Sequence, residues 1–396
     1  MVSSSFKHAE VVGAGIGGLT AAAALARRGW SVRLHESTPQ IRAVGAGIYL
    51  WSNGLAVLEH LGVLDQAIDG AHYGSVIQSR DDQDRLLSAV PINGPGQAQV
   101  LTILRERLLM SLLHAATAAG VEVLTGSTAV RATPDGRIEF SDGSSATADL
   151  VVAADGVGSR LRDGLGLLRT RRGIGQRCAR LLIPRQDDLI PNGPDDYIEY
   201  LSGRRFLLYT PSSATDLYVA LVAPTNDTRA MGAYLPQEEW IRSFPHLEDF
   251  IRKLERVPRW DDFEYISLSS WSRGRVAVLG DAAHAQPPYL GQGGGCAMMS
   301  AIGLADAVSS GQGSREAQLR TWEARERPLI THTQRFSVGV ALLNDVPDLA
   351  RRPLLSALGR STGFGRSRLR AARATPTSLT AAAERMQDKL HHRVSG

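Results

Sequence analysis

The 396-residue sequence predicts a mixed α/β fold: a Rossmann-like dinucleotide-binding domain, an antiparallel β-sheet domain inserted into it, and a C-terminal helical tail. Three observations predict this order. A glycine-rich turn lies between a strand and a helix near the N-terminus, alternating hydrophobic strands fill the middle of the chain, and a buried strand ending in Gly280-Asp281 follows them. The chain therefore leaves the first domain, builds a second one, and returns.

The composition is that of an ordinary globular protein with two domains. Hydrophobic residues make up 43% of the chain and charged residues 21%, and 396 residues exceed what one hydrophobic core usually holds. The two cysteines, Cys178 and Cys296, form neither a disulfide framework nor a metal-ligand spacing. No apolar stretch is long enough to cross a bilayer. We therefore expect a cytoplasmic protein with no metal and no membrane partner.

The positive charge is unevenly distributed along the chain. The net charge is only +4, but arginines cluster between residues 169 and 180 and again between residues 351 and 373. Such clusters attract anionic ligands. Aromatic residues are not interleaved with them as they are in nucleic-acid modules. The charge pattern therefore favours a small anionic ligand, and nucleic acid is not expected as a partner.

The first domain opens with a dinucleotide-binding turn. Residues 9–13 predict a buried strand, residues 19–28 predict a helix, and Gly13-Ala14-Gly15-Ile16-Gly17-Gly18 connects them. Gly13 permits the tight turn, Gly15 lets a pyrophosphate approach the backbone, and Gly18 lets helix and strand pack closely. The helix N-terminus supplies N–H donors to the phosphates. A second strand, at residues 31–35, ends at Glu36, which is expected to accept from ribose hydroxyls; a solvated acid is the alternative.

The elements that follow are predicted in order from their hydrophobic patterns. A glycine-rich loop covers residues 42–51, helices cover 53–64 and 104–119, and mixed strands lie within 73–98. Strands at 121–124, 138–140 and 150–153 return to the first domain. Alternating strands at 206–209 and 217–221 build the inserted sheet, and residues 235–254 are helical. A strand at 275–279 precedes a helix at 294–309, and residues 365–396 are either frayed helix or disordered.

These elements divide the chain into six consecutive segments. The first, third and fifth segments form the dinucleotide-binding domain, the second and fourth form the inserted sheet domain, and the sixth is a basic helical tail. Their predicted boundaries are 6–72, 73–100, 101–168, 169–270, 271–345 and 346–396.

Two further signatures complete a specific set of motifs. Ala154-Asp155-Gly156 follows one predicted strand, and Gly280-Asp281-Ala-Ala-His284 continues to Pro288, Gly291 and Gly293. With the first turn, over residues 8–345, these motifs resemble those of the single-component FAD-dependent aromatic hydroxylases, the para-hydroxybenzoate hydroxylase-like flavoprotein monooxygenases. The resemblance implies a GR2-type Rossmann-like FAD-binding domain with an inserted antiparallel β-sheet substrate domain. Residues 45–55 and 291–298 are most similar to the members that oxygenate 2-methyl-3-hydroxypyridine-5-carboxylate.

The resemblance implies roles on the cofactor side of the site. Glu36 would bind the adenosine ribose, Arg105 would lie near the pyrophosphate and ribityl chain, and Asp281 would accept from a ribityl hydroxyl. Asp155-Gly156 would contact FAD and contribute to nicotinamide binding. Gly293 and Gly294 would open a helix whose N-terminus stabilises negative charge on the pyrimidine edge of the flavin. The other predicted cofactor-binding residues are the turn residues Gly13, Gly15, Ile16, Gly17 and Gly18, together with Arg42, Gly47, Gly280, Pro288 and Gly291.

The resemblance also implies a substrate site. Arg180 and Tyr218 match two substrate-holding residues of the pyridine-carboxylate oxygenases, and an arginine fork suits a carboxylate. Phe206 stands where those enzymes have an arginine, and Ile77 stands where they have a tyrosine, so the pocket is altered. Pro288 would lie beside the ring, where substrate and oxygen meet. The predicted catalytic residues are Arg180, Tyr218 and Pro288, and the predicted substrate-binding residues are Arg180, Tyr218, Tyr209, Phe206, Tyr49 and Tyr289.

Alternatives remain open for several of these side chains. Packing within the sheet is the alternative for Tyr209 and Tyr218. His284 and Cys296 are expected to be packing residues, in preference to a proton donor and a nucleophile.

The resemblance implies an FAD-dependent enzyme. NADH or NADPH would reduce FAD, and O2 would form a flavin C4a-hydroperoxide that hydroxylates an electron-rich aromatic acid of the pyridine carboxylate or hydroxybenzoate type. The alternatives are a flavoprotein oxidase or epoxidase of a natural-product pathway and a flavin-dependent protein that binds without turnover. Met299-Ser300, which replaces an acidic pair common in relatives, and the basic tail leave the last alternative open. The sequence does not distinguish a monomer from a homodimer.

Overall fold

The computed structural model describes residues 7–42, 47–190, 193–254 and 259–394. Residues 43–46 of the predicted glycine-rich loop, among them Gly45, lie outside the described residues. The fold is the mixed α/β arrangement that the sequence predicts. No helix in the described ranges combines the length and the apolar character needed to span a bilayer.

The strands are numbered in chain order. They are β1 His8–Val12, β2 Ser31–Glu36, β3 Gly47–Trp51, β4 Val76–Asp81, β5 Leu86–Pro91, β6 Val100–Leu104, β7 Glu122–Thr125, β8 Ala129–Ala132, β9 Arg137–Phe140, β10 Ser145–Thr147, β11 Leu150–Ala153, β12 Leu168–Pro184, β13 Tyr197–Ser202, β14 Arg205–Pro211, β15 Asp216–Pro224, β16 Trp260–Leu268, β17 Ser272–Arg273 and β18 Val276–Val278.

The α-helices are numbered in the same way, and short 3-10 turns lie between some of them. The helices are α1 Ile16–Ala26, α2 Ser52–His60, α3 Leu64–Ala67, α4 Arg105–Ala118, α5 Arg160–Gly164, α6 Gln237–Ser243, α7 Glu248–Ile251, α8 Asp281–His284, α9 Gly293–Ser309, α10 Arg315–Leu343, α11 Asp348–Arg360, α12 Thr362–Arg368 and α13 Thr380–Val394. The 3-10 turns are Asp187–Leu189, Pro245–Leu247 and Thr377–Leu379.

The first sheet has the strand order β17-β18-β11-β1-β2-β7. Strand β1 pairs in parallel with β2 and β11, and β11 pairs in parallel with β18. The loops after β1, β11 and β18 therefore leave the same edge of the sheet, which is where ligands bind in parallel α/β sheets. These three loops carry the three signatures found in the sequence.

The second sheet has the order β16-β12-β15-β14-β13-β4-β5 and is antiparallel except for the parallel pair β13–β4. Because side chains alternate between the two faces of a strand, each face has its own core. One face packs beneath α6 and α7, where Trp240, Phe244 and Phe250 are buried. The opposite face carries Cys178, Phe206, Tyr218 and Val222.

Several elements differ from the sequence-based expectation. Residues 47–51 form strand β3, paired with β6, because the alternating Ile48-Tyr49-Leu50 segment finds an antiparallel partner. The helix expected over residues 235–254 is interrupted at Pro245, whose ring cannot continue a helix. Residues 138–140 join β8 and β10 in a small separate sheet instead of extending the first sheet.

The C-terminal segment is helical and packed. Helix α13 lies against α2, with Met386 and Leu390 buried. Glu59 of α2 accepts from Arg385 and from Lys389, at 3.2 and 2.8 Å. The sequence leaves frayed helix and disorder as alternatives for this tail, and in the structure residues 380–394 of it form helix α13.

Candidate functional site

A cavity of about 510 Å³ lies between the parallel edge of the first sheet and the face of the second sheet that carries Tyr218. Most of the predicted site residues line it, although they come from distant parts of the chain. The predicted residues at the cavity are Gly15, Ile16, Gly17, Gly47, Tyr49, Arg105, Gly156, Arg180, Phe206, Tyr218, Gly280, Asp281, Pro288, Tyr289, Gly291, Gly293 and Gly294.

The glycines of the first turn divide into two groups. A Cβ on Gly18 would lie 1.9 Å from the carbonyl oxygen of Gly13, and a Cβ on Gly13 would lie 2.4 Å from that of Ala154. These two glycines hold β1, α1 and β11 together and do not line the cavity. A Cβ on Gly15 would meet no atom within 4 Å, and the same is true of Gly156 and Gly293. These backbones form a concave surface that a ligand can approach closely.

Glu36 lies beside the turn and not in the cavity wall. Its Oε2 accepts from the backbone N–H of Ala14 at 3.0 Å, and its Oε1 accepts from that of Thr38 at 2.9 Å. Burial would raise the pKa of Glu36, but the N–H groups of Thr38 and Ala14 lower it below the ordinary value. The carboxylate is therefore charged and holds the end of β2 against the turn. Arg42 is exposed, donates to the side chain of Gln40, and does not line the cavity.

Two charged side chains face the cavity on the cofactor side. Asp281 begins α8 after Gly280, whose φ is +65°, and its exposed surface borders the cavity. Protein atoms otherwise surround this carboxyl, so burial raises its pKa, while Arg105 and Arg180 oppose the rise. Arg105 starts α4 and makes no ion pair or hydrogen bond with the residues that the structure describes. A carboxylate acceptor and a cation facing one cleft fit the ribityl hydroxyls and the pyrophosphate of a dinucleotide.

Helix α9 presents its N-terminus to the same cavity. Its first turn contains Gly293, Gly294 and Gly295, has no acidic residue, and receives no side-chain cap from Gln292. The Gln292 side chain instead accepts from Asn53 at 2.9 Å. The first N–H groups of α9 therefore remain available to an acceptor in the cavity, and the helix dipole favours negative charge there.

Asp155 and Gly156 follow β11 in a left-handed turn, with a φ of +80° at Gly156. Gly156 lines the cavity, whereas Asp155 does not. Oδ1 of Asp155 is buried and has no hydrogen-bond partner among the described residues, and burial raises the pKa of this carboxyl.

On the substrate side, Arg180 and Tyr218 lie on adjacent strands. Nη1 of Arg180 is 3.0 Å from Oδ2 of Asp261, and the guanidinium lies 5.9 Å from the ring of Phe263. The nearby Arg180 cation favours the ionised form of Tyr218, but burial outweighs it and raises the pKa of this phenol well above its ordinary value. Tyr218 is therefore a neutral hydrogen-bonding group at the cavity wall.

Aromatic side chains form another part of that wall. The hydroxyl of Tyr289 donates to Gln176 at 2.6 Å and accepts from Asn344 at 2.9 Å, which fixes the ring. This ring meets Phe206 and Phe263 edge-on, with centroids 6.0 and 6.1 Å away. Tyr49 bonds to Thr210 at 2.8 Å.

Tyr209 is not at the cavity. Its neighbour Leu208 lines the cavity, so the alternation along β14 turns Tyr209 to the opposite face of the sheet. There it packs against Phe250 and donates to the carbonyl of Pro194 at 3.1 Å. Its placement corresponds to the packing alternative, and Tyr209 lies outside the substrate side of the cavity.

The buried positions of His284 and Cys296 agree with packing roles. His284 lies against Trp271, and burial lowers its pKa to about 4. Burial raises the pKa of Cys296 to about 12. At neutral pH the imidazole is unprotonated and the thiol is not a thiolate.

Sequence reasoning missed Glu199 and Arg368, which also line the cavity. Oε2 of Glu199 accepts from Ser79 at 3.0 Å, and Oε1 lies 3.8 Å from Nη2 of Arg368. A single acid inside the aromatic strand Tyr197-Ile-Glu-Tyr200 was the available signal for Glu199. Arg368 carried no local signal, because the folding back of α12 decides its position.

The comparisons with known proteins agree with this geometry. The family described as FAD binding domain matches residues 8–337. AqdB1 of Rhodococcus erythropolis is 54% identical over 374 residues, which cover 94% of this chain and 98% of that protein. The 2-heptyl-3-hydroxy-4(1H)-quinolone synthase of Mycobacteroides abscessus is 52% identical, covering 91% and 97%. A crystal structure of 2-methyl-3-hydroxypyridine-5-carboxylic acid oxygenase superposes with a TM-score of 0.85 at 37% identity, covering 95% of this chain and 99% of that one.

Proposed function

The chain belongs to the FAD-dependent aromatic hydroxylases of the para-hydroxybenzoate hydroxylase-like family, and from that premise we propose that it hydroxylates carbon 3 of a 2-alkyl-4(1H)-quinolone. The name of the M. abscessus relative, at 52% identity over nearly its whole length, supports this substrate class. The reaction would use O2 and reducing equivalents from NADH or NADPH.

The observation that carries the proposal is the character of the substrate side of the cavity. Arg180, its expected carboxylate anchor, is already paired with Asp261, with Nη1 and Oδ2 3.0 Å apart. Phe206 stands where the pyridine-carboxylate oxygenases have a second arginine. At Arg180 an aromatic acid would therefore lose much of its hydration without gaining an unpaired cation, which is costly. A neutral ring with a polar carbonyl and an apolar chain fits this surface better.

The chain offers a matching surface for an alkyl-substituted ring. Leu208, Ala220 and Val222 form an apolar floor on the sheet, and Phe263 and Leu290 also border the cavity. Burial of each methylene of an alkyl chain contributes about 0.8 kcal/mol. Arg180 and Tyr218 would donate hydrogen bonds to the ring carbonyl, as neither needs an anionic acceptor.

The cofactor side would hold FAD. Gly15, Gly156 and Gly293 give the close backbone approach, Arg105 would contact the pyrophosphate, and Asp281 would accept from the ribityl chain. Bound FAD supplies the redox chemistry and the activation of dioxygen. The N-terminus of α9 would stabilise negative charge on the flavin ring. Pro288, Tyr289 and Phe206 would exclude water from the space between the cofactor and the substrate.

A second candidate is the aromatic-acid hydroxylase that the sequence predicts. The guanidinium of Arg180 favours it, because this group lies in the cavity and Asp261 occupies only part of its donor fork. Hydroxylation of a pyridine carboxylate or hydroxybenzoate would then require the substrate carboxylate to share Arg180 with Asp261.

The test compares substrates on the purified, FAD-loaded protein. 2-Heptyl-4(1H)-quinolone, 2-methyl-3-hydroxypyridine-5-carboxylate and 4-hydroxybenzoate are assayed with NADH and with NADPH under 18O2. We expect the quinolone to stimulate nicotinamide oxidation most and to gain one 18O atom. Stimulation only by the acids would replace the proposal with the second candidate. Hydrogen peroxide without an oxygenated product from any of them would indicate an oxidase, and no stimulation would indicate a binding protein.

A further inference from the structure

We propose that Glu199 is the acceptor for the ring N–H of the substrate and that, opposite Arg180, it selects neutral heteroaromatic rings with a donor at one end and an acceptor at the other. This inference rests on the proposed quinolone hydroxylation and assigns a residue that sequence reasoning missed.

The strand pairing places Glu199 and Arg180 in one row across the second sheet. Glu199 of β13 is opposite Leu208 of β14, Leu208 is opposite Ala220 of β15, and Ala220 is opposite Arg180 of β12. Directly paired residues share a face of the sheet, so both charged side chains point to the cavity side. Three strand spacings separate their backbones by about 14 Å. Leu208 and Ala220 make the floor between them apolar.

The carboxylate of Glu199 keeps acceptor capacity that its neighbours do not use. Its Oε2 accepts from Ser79, but the contact between Oε1 and Arg368 is an ion pair at 3.8 Å, beyond hydrogen-bond distance. Burial raises the pKa of Tyr49 and Tyr289, and the negative charge of Glu199 adds to both shifts. The negative charge of Glu199 therefore acts on two aromatic residues of the cavity wall.

The other carboxylates at the substrate side are more completely paired. Asp262 receives two hydrogen bonds from Arg177, at 2.8 and 3.1 Å. Glu264 receives two from Arg171, at 2.6 and 3.0 Å. Among the described residues that line the substrate side, this leaves Glu199 as the acid best able to accept from a ligand.

The chemistry of a 4(1H)-quinolone matches this arrangement. Its N–H donor and its carbonyl acceptor lie at opposite ends of one ring, so Glu199 would accept from the nitrogen and the Arg180–Tyr218 pair would donate to the oxygen. A hydrogen bond from N–H to a carboxylate is charge-assisted and also increases electron density at carbon 3, the carbon to be hydroxylated. In either orientation on this surface, the carboxylate of an aromatic acid would lie near the carboxylate of Glu199 or of Asp261, and the two like charges would repel.

The test measures discrimination between 2-heptyl-4(1H)-quinolone and its N-methyl analogue, which lacks the donor. The FAD-loaded wild-type protein is compared with Glu199→Leu, which removes the acceptor at similar volume, and with Glu199→Gln, which keeps a neutral acceptor. Glu238→Leu, on the exposed surface of α6 outside the cavity, is the matched control. Both kcat/KM and the Kd from perturbation of the flavin absorbance are recorded.

We expect the wild-type protein to prefer the N–H substrate by about tenfold or more, the effect of one hydrogen bond to a charged group. Glu199→Leu should lose most of this preference because its activity on the N–H substrate falls, Glu199→Gln should retain part of it, and Glu238→Leu should retain all of it. A purely steric rejection of the methyl group would survive in Glu199→Leu and would overturn the inference. An equal loss on both substrates, as from a structural defect, would also overturn it. If the wild-type protein turns over neither quinolone, the proposed function itself is wrong and the inference falls with it.

Discussion

Arg180 and Asp261 form an ion pair across strands β12 and β16 at the wall of the cavity, with Nη1 and Oδ2 3.0 Å apart. In this pair Asp261 already binds the guanidinium that the sequence predicts as a carboxylate anchor. We therefore expect Asp261→Asn to bind 4-hydroxybenzoate about tenfold more tightly than the wild-type protein, because the freed guanidinium can bind a carboxylate with its full fork. The measurement is the Kd from the change in flavin absorbance on ligand addition.

The control for this prediction is Arg259→Gln. Nε of Arg259 donates to the other oxygen of Asp261 at 2.8 Å, so its removal perturbs the same acid and leaves the pair with Arg180 in place. Equal affinity for 4-hydroxybenzoate in wild type and Asp261→Asn would show that Asp261 does not limit the binding of a carboxylate by Arg180.

The two groups of glycines in the first turn predict different mutant phenotypes. Gly18→Ala places a Cβ 1.9 Å from the carbonyl oxygen of Gly13, so backbone must move and the free energy of unfolding should fall by about 1–3 kcal/mol. Gly15→Ala meets no atom within 4 Å and should leave the stability of the flavin-free protein nearly unchanged while it lowers flavin content. Urea unfolding of flavin-free protein and the flavin absorbance of purified protein measure the two effects. Similar stability losses in both variants would contradict this division.

Arg105 and Arg107 provide a matched pair on α4. Arg105 faces the cavity, whereas Arg107 pairs with Asp69 on the surface at 2.8 Å. We expect Arg105→Gln to weaken FAD binding about tenfold, through loss of one charged contact to the pyrophosphate, and this loss should shrink as salt is raised. Arg107→Gln removes the same charge from the same helix and should bind FAD as the wild type does. Quenching of FAD fluorescence on titration gives both values, and equal weakening would exclude a specific role for Arg105.

Local sequence pattern is enough to predict where the turns of the cofactor side lie, for a physical reason. Gly15, Gly156 and Asp281 lie in turns directly after buried strands, and local pattern is enough to place such turns at one edge of a parallel sheet. The two alternatives for Tyr209 could not be separated from the sequence, because a shift of one residue along a strand reverses the face and the register of β14 against β13 and β15 is not visible locally. Glu199 and Arg368 meet only because α12 packs back towards the cavity. Their proximity is a property of the tertiary fold.

We expect the buried Glu326, which does not line the cavity, to make the free energy of unfolding depend on pH. This acid of α10 is only 6% exposed and packs against Gly303 of α9, where an added Cβ would lie 2.6 Å from its Oε1. Burial raises its pKa to about 7, well above the 4.5 that is usual for the group. The folded state therefore holds this proton more tightly than the unfolded state does.

Because the folded-state pKa of Glu326 is raised, its contribution to stability is fully present below pH 4.5 and is lost as the pH rises to about 7. A difference of this size corresponds to about 3 kcal/mol. Glu326→Gln removes the titration, so the free energy of unfolding of this variant relative to wild type should increase from pH 5 to pH 8 by up to that amount. Urea unfolding of the flavin-free proteins at both pH values measures it. The control is Glu316→Gln, which changes an exposed acid in the first turn of α10 and should show no such increase. Parallel pH profiles for wild type and Glu326→Gln would mean that Glu326 stays ionised in the fold.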